Sequence, residues 1–239
     1  MTSIFKDTLP ESRPHRSIRS FIIREGRLTR GQQQALDRLL PEFGLSVDQF
    51  PDNSFRPAEI FGRKIAITME IGFGDGEALL DVAKKNPDNG FIGVEVHRPG
   101  VGHLLLEAEK RTLANVRVFN DDAVDVLSSA IGDQTIDKIC LFFPDPWPKK
   151  KHNKRRILQS DFLDQVIRVL KVGGEFHFAS DWQPYAEEAL QKLNSISRLQ
   201  NLAEDSLYSE RPSDRPMTKF ERRGLKLGHG VWDIRMIKL

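Results

Sequence analysis

The sequence predicts an α/β fold: a doubly wound, mostly parallel sheet preceded by a basic N-terminal arm. Three observations predict it. From about residue 64, short apolar runs alternate with helical stretches of roughly 10–15 residues, as in parallel strands joined by crossover helices. A glycine-rich turn, Gly72-Phe73-Gly74-Asp75-Gly76, joins the first run to the first helical stretch. Carboxylates stand at the ends of consecutive runs, where an open parallel sheet forms its ligand crevice.

Residues 1–60 read as an arm, partly flexible, with one short helix; residues 61–239 read as the α/β domain. The first 31 residues hold seven cations (Lys6, Arg13, Arg16, Arg19, Arg24, Arg27, Arg30) against three acids (Asp7, Glu11, Glu25), with little periodicity. A helical pattern covers 32–40 and is expected to stop at Pro41. Strands are predicted over 65–71, 91–96, 116–119, 138–143 and 175–180, each short and apolar. Helices are predicted over 76–85, 101–112, 123–131, 155–170 and 184–197. In the fourth helix, Leu158, Phe162, Val166 and Leu170 form an apolar stripe with Leu163 and Ile167. Val172-Gly173-Gly174 is expected to end it. The loose alternation of Val231, Ile234, Met236 and Leu239 predicts a closing strand over 231–239.

Composition excludes several function classes. The single cysteine rules out an internal disulfide and any zinc site needing two or more thiolates. Cys140 lies in the apolar run Ile139-Cys140-Leu141-Phe142-Phe143 and is expected to be a buried structural thiol. The six histidines show no metal-ligand spacing with carboxylates, so no metal is expected, and no Gly-x-Ser-x-Gly elbow supports a serine hydrolase. No stretch approaches the ~20 apolar residues of a membrane span. The N-terminal segment has no apolar core of the signal-peptide kind, so a cytoplasmic location is expected. With 36 Lys+Arg against 34 Asp+Glu, the net charge of +2 argues, as an average, against a nucleic-acid partner. The local distribution reverses that inference.

Gly72, Gly74 and Gly76 follow the first strand at every second position, a spacing that lets backbone approach a ligand closely. Glu77 stands where a dinucleotide fingerprint would place a small residue, and no Gly-Lys-Ser/Thr of a phosphate loop follows. A carboxylate at that helix start also disfavours an anionic pyrophosphate. The turn therefore suits a nucleoside without phosphates. Glu70 closes the first strand, Glu95 the second, and Asp122 follows the third. An acid after the second strand can accept two ribose hydroxyls, and one after the third can receive an adenine amino group. This pattern matches S-adenosyl-L-methionine, whose cationic sulfonium tolerates acidic surroundings.

After the fourth strand comes Phe143-Pro144-Asp145-Pro146-Trp147-Pro148, whose three prolines fix the directions of Asp145 and Trp147. An acid on such a turn can hydrogen-bond a heterocyclic base and a tryptophan can pack on one. An Asp-Pro turn with a core tryptophan is the simpler structural reading. Residues 149–156 then hold six cations and no acid, a pattern that suggests phosphate-backbone contact. Read as the first turn of a helix, this run would oppose the helix dipole, a cost that a bound polyanion would offset.

The blocks MEIGFGDG, GVEVHRPGVG, LFFPDPWPKKKHNKRR, SDWQPYAE, RPMTKFERRG and LGHGVWD, with RSFIIREGRLTRGQ before them, resemble the bacterial tRNA (guanine-N7-)-methyltransferases over about residues 17–239. The resemblance implies a Rossmann-like class I methyltransferase with a seven-stranded sheet. It also implies methyl transfer from S-adenosyl-L-methionine to the guanosine at position 46 in the variable loop of tRNA. It assigns Glu70, Glu95, Asp122 and Asp145 to the cofactor pocket beside Gly72, Gly74 and Gly76, with Asp145 also catalytic. Lys149, Asp181, Thr218, Lys219, Phe220 and Glu221 would bind the substrate, and Lys151, Lys154, Arg155 and Arg156 would contact RNA. Thr218 and Glu221 also have the form of a capping box, and Asp181 precedes a helix it could cap. Two other readings stay open: a methyltransferase acting on another substrate, and a non-catalytic RNA-binding module. A monomer and a homodimer are equally compatible with the sequence.

Overall fold

Apolar runs without polar alternation suit strands covered on both faces, and the central strands are of that kind. The computed structural model describes residues 19–21, 26–205, 207–218, 221–222, 224, 228 and 230–239. The strands are β1 (Gly44–Leu45), β2 (Ile67–Ile71), β3 (Gly90–Val94), β4 (Val116–Phe119), β5 (Ile136–Phe142), β6 (Leu170–Ser180), β7 (Leu199–Asn201) and β8 (Trp232–Lys238). They form one eight-stranded sheet in the order β1-β4-β3-β2-β5-β6-β8-β7. Every pair from β1 to β6 is parallel, and β8 runs antiparallel to both β6 and β7. The expected seven strands are thus joined by β1, a two-residue edge strand beside β4.

The helices are α1 (Arg30–Phe43), α2 (Pro57–Phe61), α3 (Glu77–Lys85), α4 (Arg98–Lys110), α5 (Ala123–Ser129), α6 (Ser160–Val169) and α7 (Gln183–Asn194). Apolar residues of α1, α3 and α4 pack together on one face of the sheet. Those of α5, α6 and α7 pack on the other, so the sheet is doubly wound. Residues 30–43 therefore belong to the packed body rather than to an arm.

Helix α1 begins with a reciprocal cap: Thr29 Oγ1 accepts from the Gln32 N–H at 3.2 Å, and Gln32 Oε1 accepts from the Thr29 N–H at 2.9 Å. Its buried stripe is Ala35, Leu36, Leu39 and Phe43, and burying each leucine contributes roughly 1.5–3 kcal/mol. Pro41 does not stop this helix as expected, because it sits in the last turn. Its missing N–H forfeits only a bond to the carbonyl of the exposed Asp37, and the Gly44 N–H still closes on Leu40. Gln32 Nε2 donates to the Pro99 carbonyl at 3.0 Å, so α1 also fixes the start of α4.

Two further expectations are corrected. Val172-Gly173-Gly174 does not end α6, which stops at Val169, but lies inside β6 where the register against β5 shifts. Gly173 has φ +79° there, and the irregularity absorbs the extra residues. The basic run is not the first turn of α6 either. It forms a separate 3₁₀ segment, Lys150–Arg155, and α6 starts at Ser160 with Asp161 in its first turn. The expected conflict between charge and helix dipole is therefore absent. No helix among the described residues is long and apolar enough to cross a membrane. Cys140 is buried in β5, and that burial pushes its thiol pKa upward.

Candidate active site

The strand order reverses at β2, with β3 on one side and β5 on the other, so a crevice opens at the C-terminal edge between them. A cleft of about 1180 Å³ lies there, above the roughly 300–1,000 Å³ typical of small-molecule sites. Its floor is the glycine turn, in which Gly72, Gly74 and Gly76 have φ of 72°, 65° and 80°, a region L side chains disfavour. The Gly72 N–H bonds the Val94 carbonyl at 2.8 Å, and a Cβ at Gly72 would meet nothing within 4 Å. A Cβ at Gly100 would come within 2.0 Å of the Gly74 carbonyl oxygen, so α4 packs directly on the turn.

Glu95 ties these parts together. Its carboxylate accepts from the Gly74 N–H at 3.0 Å and from the His97 N–H at 2.9 Å, while it lines the cleft. Asp122 caps α5 by accepting from the Val124 N–H at 3.0 Å and also lines the cleft. Burial raises the carboxyl pKa of Asp122, with the Val124 N–H acting against it. Gly72, Gly74, Glu95, Asp122 and Asp145 all line the cleft. Glu70 and Gly76 lie behind it: Gly76 packs on Leu104, and Glu70 is 7% exposed. Burial, reinforced by the nearby Asp75 and Glu95 charges, pushes the Glu70 carboxyl up to about 8. Glu77 turns to Arg111 and does not line the cleft.

The lining also includes residues that sequence reasoning missed. Asn120, Asp121 and Asp125 flank Asp122, and their place beside a strand end was a usable signal. Arg19, Ser20 and Phe21 also line the cleft, and distance along the chain gave no hint of that.

The other wall is the turn after β5. The Phe143 N–H bonds the Ala179 carbonyl at 2.8 Å, and Phe143 has φ +52°, which turns the chain toward exposed Asp145. Trp147 is held on several sides: Nε1 donates to the Ser20 carbonyl at 2.9 Å, Arg155 lies over the ring at 4.8 Å, and His152 meets it edge-on. Lys149, Lys151 and Lys154 are exposed. Arg156 is not: it is 4% exposed, ion-paired with Glu188, stacked on Tyr185 and bonded through Nε to the Pro146 carbonyl at 2.8 Å. Arg156 is a fastener of the turn rather than the RNA contact expected of it.

Asp181 follows β6, and the N-cap of α7 is Trp182, with no side-chain cap. Thr218 Oγ1 accepts from the Glu221 N–H at 3.1 Å, which is the capping arrangement. The Glu221 carboxylate is 2% exposed and bonds Arg215, so it does not face the substrate side as expected. Lys219 and Phe220 lie outside the described residues.

A family model described as putative methyltransferase matches residues 64–234. The tRNA (guanine-N(7)-)-methyltransferase of Pseudomonas savastanoi pv. phaseolicola is 52% identical over 229 residues, covering 96% of this chain and 93% of that protein. The chain belongs to the tRNA (guanine-N7-)-methyltransferase family. The family's member from Saccharophagus degradans is 51% identical, covering 92% of this chain and 94% of its own. In fold, the chain is similar to the 16S rRNA methyltransferase KamB, with a TM-score of 0.54 at 16% identity, covering 80% of this chain and 95% of that one.

The cleft fits the cofactor of such a family by its own chemistry. Glu95, Asp121, Asp122, Asp125 and Asp145 give it a negative lining suited to a sulfonium, and Gly72 leaves backbone open to a ligand. No group of three or more His, Cys, Asp or Glu among the described residues could hold a metal ion.

Proposed function

We propose that this chain transfers the methyl group of S-adenosyl-L-methionine to N7 of guanine in cytoplasmic tRNA, at position 46 of the variable loop. One observation carries the reading: the acid-lined cleft and the exposed cations Lys149, Lys151 and Lys154 meet at a single turn, the one bearing Asp145. A cationic cofactor and a polyanionic substrate each find a complementary surface, and Asp145 lies on the boundary between them.

When bound, the cofactor supplies an electrophilic methyl group on sulfur. Gly72, Gly74, Glu95 and Asp122 hold it; Glu95 is oriented by the two backbone N–H groups it binds. Asp145 receives the guanine N1–H and 2-amino group and balances charge near the alkylated ring. It removes no proton, because guanine N7 carries none and presents an in-plane lone pair. The remaining demands are alignment and exclusion of water, which are positioning effects. Asp181 and Thr218 contact the substrate beside the cleft, and Lys149, Lys151, Lys154 and Arg155 hold the phosphate backbone.

Tritiated cofactor incubated with an unmodified tRNA transcript, followed by nucleoside analysis, tests the reading. Label is expected in 7-methylguanosine and absent when position 46 is changed to adenosine. Label in another nucleoside would point to a different target, and RNA binding without transfer would make the protein a binding module.

A further inference from the structure

Four ionisable groups meet away from water between β6, β8 and the segment after β7. His177, Arg215, Glu221 and Asp233 are 0%, 3%, 2% and 2% exposed. Both terminal nitrogens of Arg215 bond the Glu221 carboxylate, at 2.8 and 2.9 Å. One of them also donates to Asp233 Oδ2 at 3.0 Å, and Nε lies 2.9 Å from Asp233 Oδ1. Asp233 in turn is 2.7 Å from His177 Nε2. Burial lowers the His177 pKa, against the pull of Asp233. Taking such charges out of water is costly unless geometry repays it, and well-packed apolar groups would serve stability as well.

What the set touches explains its place. The Arg215 guanidinium lies over the Phe142 ring at 5.6 Å and the Phe143 ring at 5.8 Å, the two residues that lead into Asp145. Through Glu221 it grips the short helical turn whose cap is Thr218. Through Asp233 it is anchored to β8, which pairs with β6. One side chain therefore joins the Asp145 turn, the Thr218 segment and the sheet. An arginine fork can do this at once; a lysine ammonium lacks the planar donors for two carboxylates in this geometry.

We propose that Arg215 is a positioning residue for the methyl transfer, clamping the Thr218 segment to the turn that carries Asp145. This rests on the function proposed above. Arg215 is 3% exposed and does not line the cleft, so it acts only by fixing where Asp145 and Thr218 stand. Glu221 acts through Arg215 in the same way.

The test compares wild type with Arg215→Lys and Glu221→Gln. It measures cofactor affinity by calorimetry, kcat and KM on tRNA, and amide exchange of residues 142–147. Arg215→Lys is expected to lower kcat at least tenfold per cofactor-binding molecule, with cofactor Kd within about twofold. Exchange in 142–147, where the Phe143 N–H bonds Ala179, is expected to accelerate. Glu221→Gln is expected to move both readouts the same way by less, and it carries the test if Arg215→Lys loses cofactor binding. A kcat within twofold of wild type together with unchanged exchange would overturn the clamp. A wild type that methylates no tRNA would instead overturn the proposed function, and the exchange measurement would still judge the clamp.

Discussion

The two walls of the cleft are built by different means. On the cofactor side, backbone is held by backbone and by one short carboxylate: Gly72 by Val94, and the Gly74 and His97 N–H groups by Glu95. On the substrate side, long cationic side chains hold the turn: Arg156 grips the Pro146 carbonyl, Arg155 covers Trp147, and Arg215 covers Phe142 and Phe143. The first wall is built of short backbone-held segments with little freedom to move. The second must receive a bulky polyanion. The buried, ion-paired guanidinium groups of Arg156 and Arg215 fix the turn's backbone, while the exposed Lys149, Lys151 and Lys154 supply its positive charge. The near-neutral balance of 36 cations against 34 acids conceals this division.

The largest effect is expected where the walls meet. Asp145→Asn keeps the shape of the side chain but replaces one acceptor with a donor and removes its charge. If Asp145 orients guanine, kcat should fall about 100-fold, the scale of a misplacement of roughly 1 Å. Steady-state methylation of tRNA measures it, and a fully active Asp145→Asn enzyme would remove Asp145 from the mechanism.

A smaller and more selective effect is expected on the substrate wall alone. Reversing Lys149, Lys151 and Lys154 to Glu should raise KM for tRNA by roughly tenfold or more at ~0.1 M salt. It should also make the dependence of log K on log salt shallower by about 2–3, since each lost phosphate contact removes about 0.7–0.9 from the slope. Cofactor affinity, followed by calorimetry, should stay within about twofold. Equal loss of both affinities would mean that the 3₁₀ segment serves the fold instead of the RNA.

The two walls also differed in how far they were legible from sequence. The glycine turn and the strand-end acids are local features, and Gly72, Gly74, Glu95 and Asp122 stand where their spacing implied. The central strands were equally legible, since runs such as 91–94 are wholly apolar and wholly buried. Edge strands β1 and β7 were not, because two or three residues carry no periodicity. The substrate wall is assembled from distant partners: Arg156 with Glu188, and Arg215 with Asp233 and Phe142. A run of six cations therefore looked uniform from 149 to 156, although its last member is buried in an ion pair and its four lysines reach water. Glu221 misled although its partner Arg215 opens the same block, RPMTKFERRG, because a separation of six residues carries no periodicity that would pair the two side chains.

The smallest effect on catalysis is expected at Glu70, behind the cofactor wall, where the readouts are stability and cofactor affinity. Its carboxyl is pushed up to about 8 in the folded chain, chiefly by burial, so it holds its proton at neutral pH. An unfolded glutamate releases that proton near pH 4.3. The folded state therefore binds more protons across this window. Stability from Glu70 is complete below the unfolded value and is lost as pH rises toward about 8. Denaturant unfolding at pH 5.5 and 8.5 should show the wild type losing on the order of a few kcal/mol more than Glu70→Gln between the two. A cation in the neighbouring cleft favours the ionised form. Cofactor binding should therefore tighten with rising pH in the wild type and stay flat in Glu70→Gln. If both proteins respond to pH alike in both measurements, Glu70 is not the titrating group, and the acidic wall holds its cofactor through Glu95 and the aspartates that line the cleft.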